Sequence, residues 1–375
     1  MSTVFVHVGL PKTGTTHLQD RLWRNRDLAL ERSNLLYPGV LMEDHFHAAA
    51  HLQADRYLDW ADPAHADAWP TMLAQMKAWP GASLYSHELL ATARPEHVRS
   101  LLDDLSFADE VHVILTLRDL ARQLPSVWQE NVKNQRPASF DEFLASVANY
   151  APGGPHDQSV SRQPFWEFQD YPRVLRTWAE EIPTDRIHVV TVPAKGTAAP
   201  GDGLWERFLS VLGADPADLP ITGNRDNSSL TAAQTEFLRR LNSRIQPTDI
   251  EWRRYERIVK HQFIGQALRH TGEGKPLGLT AEQRTWAAEQ STALAAAVVD
   301  GGYAVTGTLD DLQVSLDADA TESRVPGTDE TLDAGLDALA YWIKNMPMPD
   351  DRRAITTRAA DLARRAKRRA KGLLR

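Results

Sequence analysis

Between Gly9 and Thr16 the chain concentrates groups that hold an anion. The segment Gly9-Leu10-Pro11-Lys12-Thr13-Gly14-Thr15-Thr16 offers two glycines, one lysine and three threonine hydroxyls. A glycine-bounded turn lets successive backbone amides point at one spot, and a helix opening behind it adds the positive end of its dipole. Lys12 sits inside the turn, where its charge lies beside whatever is attached to the bound phosphate. The turn therefore suits a phosphate that bears one further transferable group. The plain alternative is a connection between two elements, and a lysine and three hydroxyls around Gly14 weigh against it. His45, His47 and His51 form a second group. Their ordinary reading is solvated histidines, and His47 is the one to test for a chemical role. Their spacing lacks the carboxylate of a H-E-x-x-H zinc motif, so no metal site is expected.

The elements that position this turn follow from periodicity. Residues 3–8 are rich in β-branched side chains and predict a buried strand, and Leu18, Leu22 and Trp23 mark one face of a helix behind the turn. Further strands are expected at 82–86, 111–117 and 186–192, with helices at 96–105, 120–132 and 171–181. Strands separated by helix-length segments imply crossovers and a parallel sheet covered on both faces. Past Val192 the pattern is helical at 204–212, 232–245, 253–269 and 281–299. The expected fold is α/β: a P-loop-like parallel sheet of four to five strands flanked by helices, with a mostly helical C-terminal half. Residues 1–315 are expected to form one domain, 316–350 an acidic linker in which 317–335 has few large apolar residues, and 351–375 a basic C-terminal helix or tail.

The nucleotide P-loop pattern G-x-x-x-x-G-K-[ST] matches at Gly9, Gly14 and Thr16, but Thr15 stands where its lysine belongs. Pro11-Lys12-Thr13-Gly14-Thr15-Thr16 after a strand instead resembles the 5′-phosphosulfate loop of sulfotransferases that use 3′-phosphoadenosine 5′-phosphosulfate (PAPS). That resemblance implies PAPS as co-substrate, its 5′ end held by Pro11, Lys12, Thr13, Gly14, Thr15 and Thr16, with no metal required. It also implies an arginine after a later strand and a serine eight positions on, both at the 3′-phosphate. Arg118 and Ser126 occupy those positions. Eight residues is a little over two helical turns, so both can reach one anion, and arginine's planar fork suits phosphate oxygens. The resemblance covers roughly residues 3–312 and is nearest to bacterial sulfotransferases. It includes a weaker echo at Asn227-Ser228-Ser229-Leu230 and Leu238-Arg239-Arg240-Leu241-Asn242. The chain departs from the cytosolic branch in lacking its R-K-G-x-x-G-D-W segment, of which Gly272-Glu273-Gly274-Lys275 is a faint trace.

Sulfuryl transfer needs charge stabilisation on the leaving oxygen and a base for the acceptor hydroxyl. Lys12 is the candidate for the first. The base is expected in Tyr85-Ser86-His87-Glu88, because the carboxyl ends of parallel strands share one edge. Bacterial members of the family commonly use a Ser-x-Glu there, which points to Glu88, while His87 matches the histidine of the cytosolic branch; His47 is a third candidate. Trp60, Trp69, Phe165 and Trp166 lie in segments that could cover a small-molecule or carbohydrate acceptor, or simply anchor loops.

Composition bounds the remaining classes. The 375 residues contain no cysteine, which excludes disulfides and thiolate chemistry and fits a reducing cytoplasm. The amino terminus lacks a basic leader, and no run of about 18 apolar residues exists. Residues 352–375 carry ten Lys/Arg against Asp361, a local +9, so the rest of the chain bears −17 of the net −8. An acidic body argues against a nucleic-acid polymer as partner. The tail reads as a solvated extension, a clamp on the acidic body or, as the lesser reading, a membrane contact. Two rivals remain: an NTP-dependent phosphotransferase (kinase) with Asp119 as metal-holding acid, and a non-catalytic binder of PAPS or its product PAP.

Overall fold

The computed structural model describes residues 2–149, 165–194, 196–222, 229–316 and 325–346. The expected tail at 351–375, residues 150–164 and Asn227-Ser228 lie outside them. Two compact units emerge: Met1–Val132, Arg136–Ser229 and Pro276–Arg324 in the first, Lys133–Gln135, Leu230–Lys275 and Val325–Arg375 in the second.

The first unit alternates strand and helix. β1 (Thr3–His7) leads into α1 (Thr15–Ser33), then β2 (Leu35–Leu36) and α2 (Asp44–Leu52). β3 (Ala82–Ser86), α3 (Pro95–Asp104), β4 (Glu110–Leu117) and α4 (Leu120–Lys133) follow. α5 (Tyr171–Ala179), β5 (Ile187–Thr191), α6 (Leu204–Leu212) and β6 (Ala304–Thr306) complete it. All six strands are parallel, in the order β2-β3-β1-β4-β5-β6. Two strands exceed expectation because β2 and β6 span two and three residues, too short for a period to register.

Both sheet faces are buried, which explains the near-continuous apolar runs. Phe5, Leu84, Ile114 and Val190 pack with Leu18 and Leu22 of α1 and Phe208 and Leu209 of α6. Val4, Val6, Val113, Leu115 and Val189 alternate with them and are fully buried on the opposite face. The chain leaves β1 toward the β2–β3 side and leaves β4 toward the β5–β6 side. The carboxyl ends of β1 and β4 therefore flank the point where crossovers reverse direction, the position at which open parallel sheets form a crevice.

The second unit corrects two sequence expectations. α7 (Ala232–Asn242) is present, but 253–269 is not one α-helix: Trp252–Tyr255 is α, Glu256–Ile264 is π-helical, and Leu268–His270 is 3-10. Within the supposed linker at 316–350 lies α8 (Thr328–Asn345). Its buried face is Thr331, Ala334, Gly335 and Ala338, and a β-carbon at Gly335 would strike the Phe237 ring of α7. The small side chains of this buried face allow the close approach, while the large apolar residues of α8 lie on another face. No helix among the described residues is long and apolar enough to cross a membrane.

Candidate functional site

The turn after β1 rests on a buried polar floor. Leu10 N donates to Thr116 O at 3.1 Å and Thr116 N to Gly9 O at 2.5 Å, so β1 stays paired with β4 into the turn. Beneath it, the fully buried His7 reaches Ser86 Oγ at 2.8 Å through Nδ1 and Thr116 Oγ1 at 3.3 Å through Nε2. Thr116 Oγ1 in turn donates to Gly9 O at 3.0 Å, and Thr13 Oγ1 to Leu10 O at 2.5 Å. Two glutamines grip the crest: Gln123 Nε2 and Gln169 Nε2 donate to Pro11 O at 2.5 and 3.1 Å.

Three residues of this turn have positive φ: Gly9 and Gly14 at 97° and Lys12 at 67°. At Gly9 the glycine is required twice over, since a β-carbon there would stand 3.1 Å from both Cα and Cβ of Glu88. At Lys12 the left-handed conformation costs about 1–2 kcal/mol relative to a right-handed one, so strain is placed on the one cation of the turn. Gly14 caps α1, which has no acidic residue of its own in its first turn, so the positive end of a 19-residue helix opens on the turn.

The cations converge from β1 and β4. Arg118, the residue after β4, donates from Nη1 to Lys12 O at 3.1 Å, while its buried Nε has no hydrogen-bond partner among the described residues. Burial, and next the neighbouring Arg122, lower the Arg118 pKa to about 10, still charged at neutral pH. Lys12 Nζ meets Glu130 Oε2 at 3.1 Å. Ser126 is placed by its neighbours on α4: positions 123, 126 and 130 share one helical face, and the outer two touch Pro11 and Lys12. Spacing thus puts Ser126 on the side of α4 that meets the turn. Asp119 is committed elsewhere, to the Arg122 guanidinium and to Arg122 N at 3.0 Å.

The carboxylate side is equally specific. Thr15 Oγ1 donates to Glu88 Oε2, and Gln19 Nε2 to Ser86 O at 3.2 Å, tying the end of β3 to the start of α1. Glu88 consequently borders the turn. His87 turns away: its Nδ1 accepts from Leu89 N at 3.1 Å and its ring contacts Phe46. Burial, and then three neighbouring histidines, lower its pKa to about 3. With Nδ1 accepting, the proton of the neutral ring is on Nε2, so His87 has no free lone pair to act as a base. His47 stacks on His65 at 4.3 Å and accepts from Asp62 N at 3.3 Å through Nδ1. Burial and His65 lower its pKa. His45 is structural, with Ser86 N donating to Nδ1 at 3.2 Å and Nε2 donating to Pro38 O at 2.9 Å.

Several sequence expectations change at this level. Thr13 and Thr15 are buried with their hydroxyls engaged by Leu10 O and Glu88, so they brace the turn; Thr16 alone keeps an exposed hydroxyl. Trp69 is anchored to Asp104 at 2.7 Å and Trp166 to Val147 O at 2.9 Å, and Phe165 is buried, which leaves Trp60 as the exposed aromatic of the four. His7, Gln123, Gln169 and Glu130 were not singled out from sequence. Glu130 carried a signal, four residues beyond Ser126 on the same face; the others had none, because their partners lie across the fold. Among the described residues no group of three or more His, Asp or Glu could hold a metal ion.

The buried histidines predict a pH dependence of stability. His7 and His45 fold with pKa values lowered by burial from 6.5 to about 3 and about 4. Below pH 6.5 the unfolded chain binds protons that the folded chain does not, so stability falls as the pH drops toward those values. Each contributes a slope of about 1.4 kcal/mol per pH unit across that window. Urea denaturation midpoints should decline steadily from pH 6.5 to 4.5, and His45→Asn should flatten the slope; a profile level over that range would contradict the assignment.

Comparison of the chain with models of protein families, with curated proteins and with solved structures returns no match.

Proposed function

We propose that this chain is a PAPS-dependent sulfotransferase that moves a sulfuryl group to an acceptor hydroxyl, or amine, of a glycan or small molecule and releases PAP. One observation carries the reading: Arg118 Nη1 bonds the carbonyl of Lys12, joining two cationic positions at the switch point, and helical spacing puts Ser126 on the side of α4 from which Gln123 and Glu130 reach the turn. A nucleotide with anionic groups at both ends fits such a pair, and Arg118 Nε, which has no partner among the described residues, is the donor one end would satisfy. Bound PAPS would supply an activated sulfuryl group. Lys12 and the amides at the start of α1 would stabilise charge on the departing phosphate oxygen, and Glu88 would take the acceptor proton. Exposed Trp60 offers an apolar face for the acceptor. The absence of cysteine is in keeping with a cytoplasmic setting.

The kinase alternative loses support because Asp119, its metal-holding acid, is occupied by Arg122. Calorimetric titration separates the readings. PAP should bind without magnesium and more tightly than ATP; ATP binding that requires magnesium, with PAP ignored, would overturn the proposal. Tight PAP binding with no transfer from labelled PAPS across an acceptor screen would indicate the non-catalytic binder.

Two further outcomes are expected. Glu88→Gln should lower kcat at saturating PAPS by about 10²–10⁴-fold, whereas His87→Ala and His47→Ala should lower it far less. A larger loss at His87 would reassign the base. Glu130 competes with the ligand for Lys12, and both side chains are about 30 % exposed. Glu130→Gln should therefore tighten PAP binding only modestly, up to about fivefold, measured by the same titration; weaker binding would show that Glu130 instead holds Lys12 in place.

A further inference from the structure

α8 presents an apolar stripe that is exposed among the described residues. Leu332, Leu336, Leu339 and Ile343 recur at intervals of four, three and four, which is one face of a helix. They are 53, 51, 39 and 79 % exposed. On one side the stripe adjoins the buried small-residue face that meets α7. On the other side it is flanked by Asp329, Asp333 and Asp337, which follow one another every four residues. A contiguous row of four large aliphatic side chains is more than scattered surface apolarity and calls for a partner.

The chain itself supplies one of matching chemistry. Six residues past Asn345, after Met346-Pro347-Met348-Pro349-Asp350-Asp351, begins the segment 352–375 with its local charge of +9. Within it Ile355, Ala359, Leu362, Ala366, Ala370 and Leu373 recur at intervals of four, three, four, four and three. That is the spacing of the α8 stripe, set among Arg and Lys where α8 has acids.

We propose that residues 352–375 cover the α8 stripe, running back along it. Three observations favour this occupant over a second copy or a lipid surface. The charges are opposite. The connection of six residues lies within the roughly 2–8 usual between antiparallel helices. At about 1.5 Å per residue, the 355–373 stripe, about 27 Å as a helix, exceeds the 332–343 stripe of about 16 Å. An anionic membrane would have to accept the acids bordering α8 as well as the basic segment, and the two act in opposite senses there.

The absence of cysteine makes the test unambiguous. In the full chain, the double variant Leu336→Cys/Leu362→Cys is oxidised at low protein concentration. A control pair, Leu336→Cys/Lys367→Cys, places the second thiol off the stripe. The expected result is an intramolecular disulfide, independent of concentration and at least about tenfold faster than in the control, since a bridge forms only when Cα atoms lie within about 7 Å. Unchanged circular dichroism would confirm that both variants fold, as exposure of Leu336 leads us to expect. Equal rates in the two pairs, or no bridge in either, overturn the proposal. A disulfide-linked dimer that grows with concentration makes a second copy the occupant. Loss of the bridge on adding phosphatidylserine vesicles, with the protein sedimenting with them, makes lipid the occupant; either result overturns it.

Discussion

Alanine in place of Lys12 is expected to lower sulfuryl transfer from labelled PAPS by about 10²–10³-fold, the loss typical of one preorganised charge-stabilising donor. PAP affinity should fall by much less, because Arg118, Ser126 and the α1 amides remain. The substitution is clean for a backbone reason: Lys12 has φ 67°, and alanine is as strained there as lysine, so the turn keeps its shape. Glu130 loses its bond to Lys12 but is about 30 % exposed and can be solvated. Single-turnover kinetics and PAP titration on the same variant separate the two quantities. Turnover at the wild-type rate would remove Lys12 from the chemistry; a parallel collapse of PAP affinity would make it a binding residue only.

The second large effect is at Arg118. Arg118→Ala should weaken PAP binding by about 100-fold or more, as expected when one partner of a desolvated charged hydrogen-bond pair is truncated, and leave acceptor KM nearly unchanged. Arg118 also donates to Lys12 O, so a loss could arise from slackening of the turn. AMP distinguishes the two, because it lacks the 3′-phosphate. If Arg118 grips that phosphate, the variant loses PAP affinity and keeps AMP affinity; equal losses for both would assign Arg118 to bracing Lys12. Arg118→Lys should recover only part of the PAP affinity, since an ammonium keeps the charge without the planar fork.

Both predictions concern residues that could be read from the chain before any fold was known, and the reason is local. Short strand-like runs ending at His7, Ser86 and Leu117, the first and last rich in β-branched residues, pointed to parallel strands, and parallel strands bring their carboxyl ends to one edge. Glycine spacing, the displaced lysine and the Arg118/Ser126 interval are all features of short segments. The same locality explains the failures. β2 and β6 are too short to show a period, and α8 hides its buried face in Thr331, Ala334, Gly335 and Ala338.

Side-chain direction is the other limit, because it is set by contacts, near and distant in sequence, that only the fold selects. Nothing local distinguishes Thr13 and Thr15 from Thr16, yet the first two turn inward to Leu10 O and to Glu88, 73 residues away, while the third stays exposed. His87 and Glu88 are neighbours, and only the clash-free approach of Gly9 and the Leu89 amide decide that Glu88 borders the turn. Glu130 reaches Lys12 across 118 residues, and Asp119 is withdrawn by Arg122. Residue type and spacing thus determined which groups share the sheet edge. Which of them point into the crevice depended on contacts that exist only once the chain has folded.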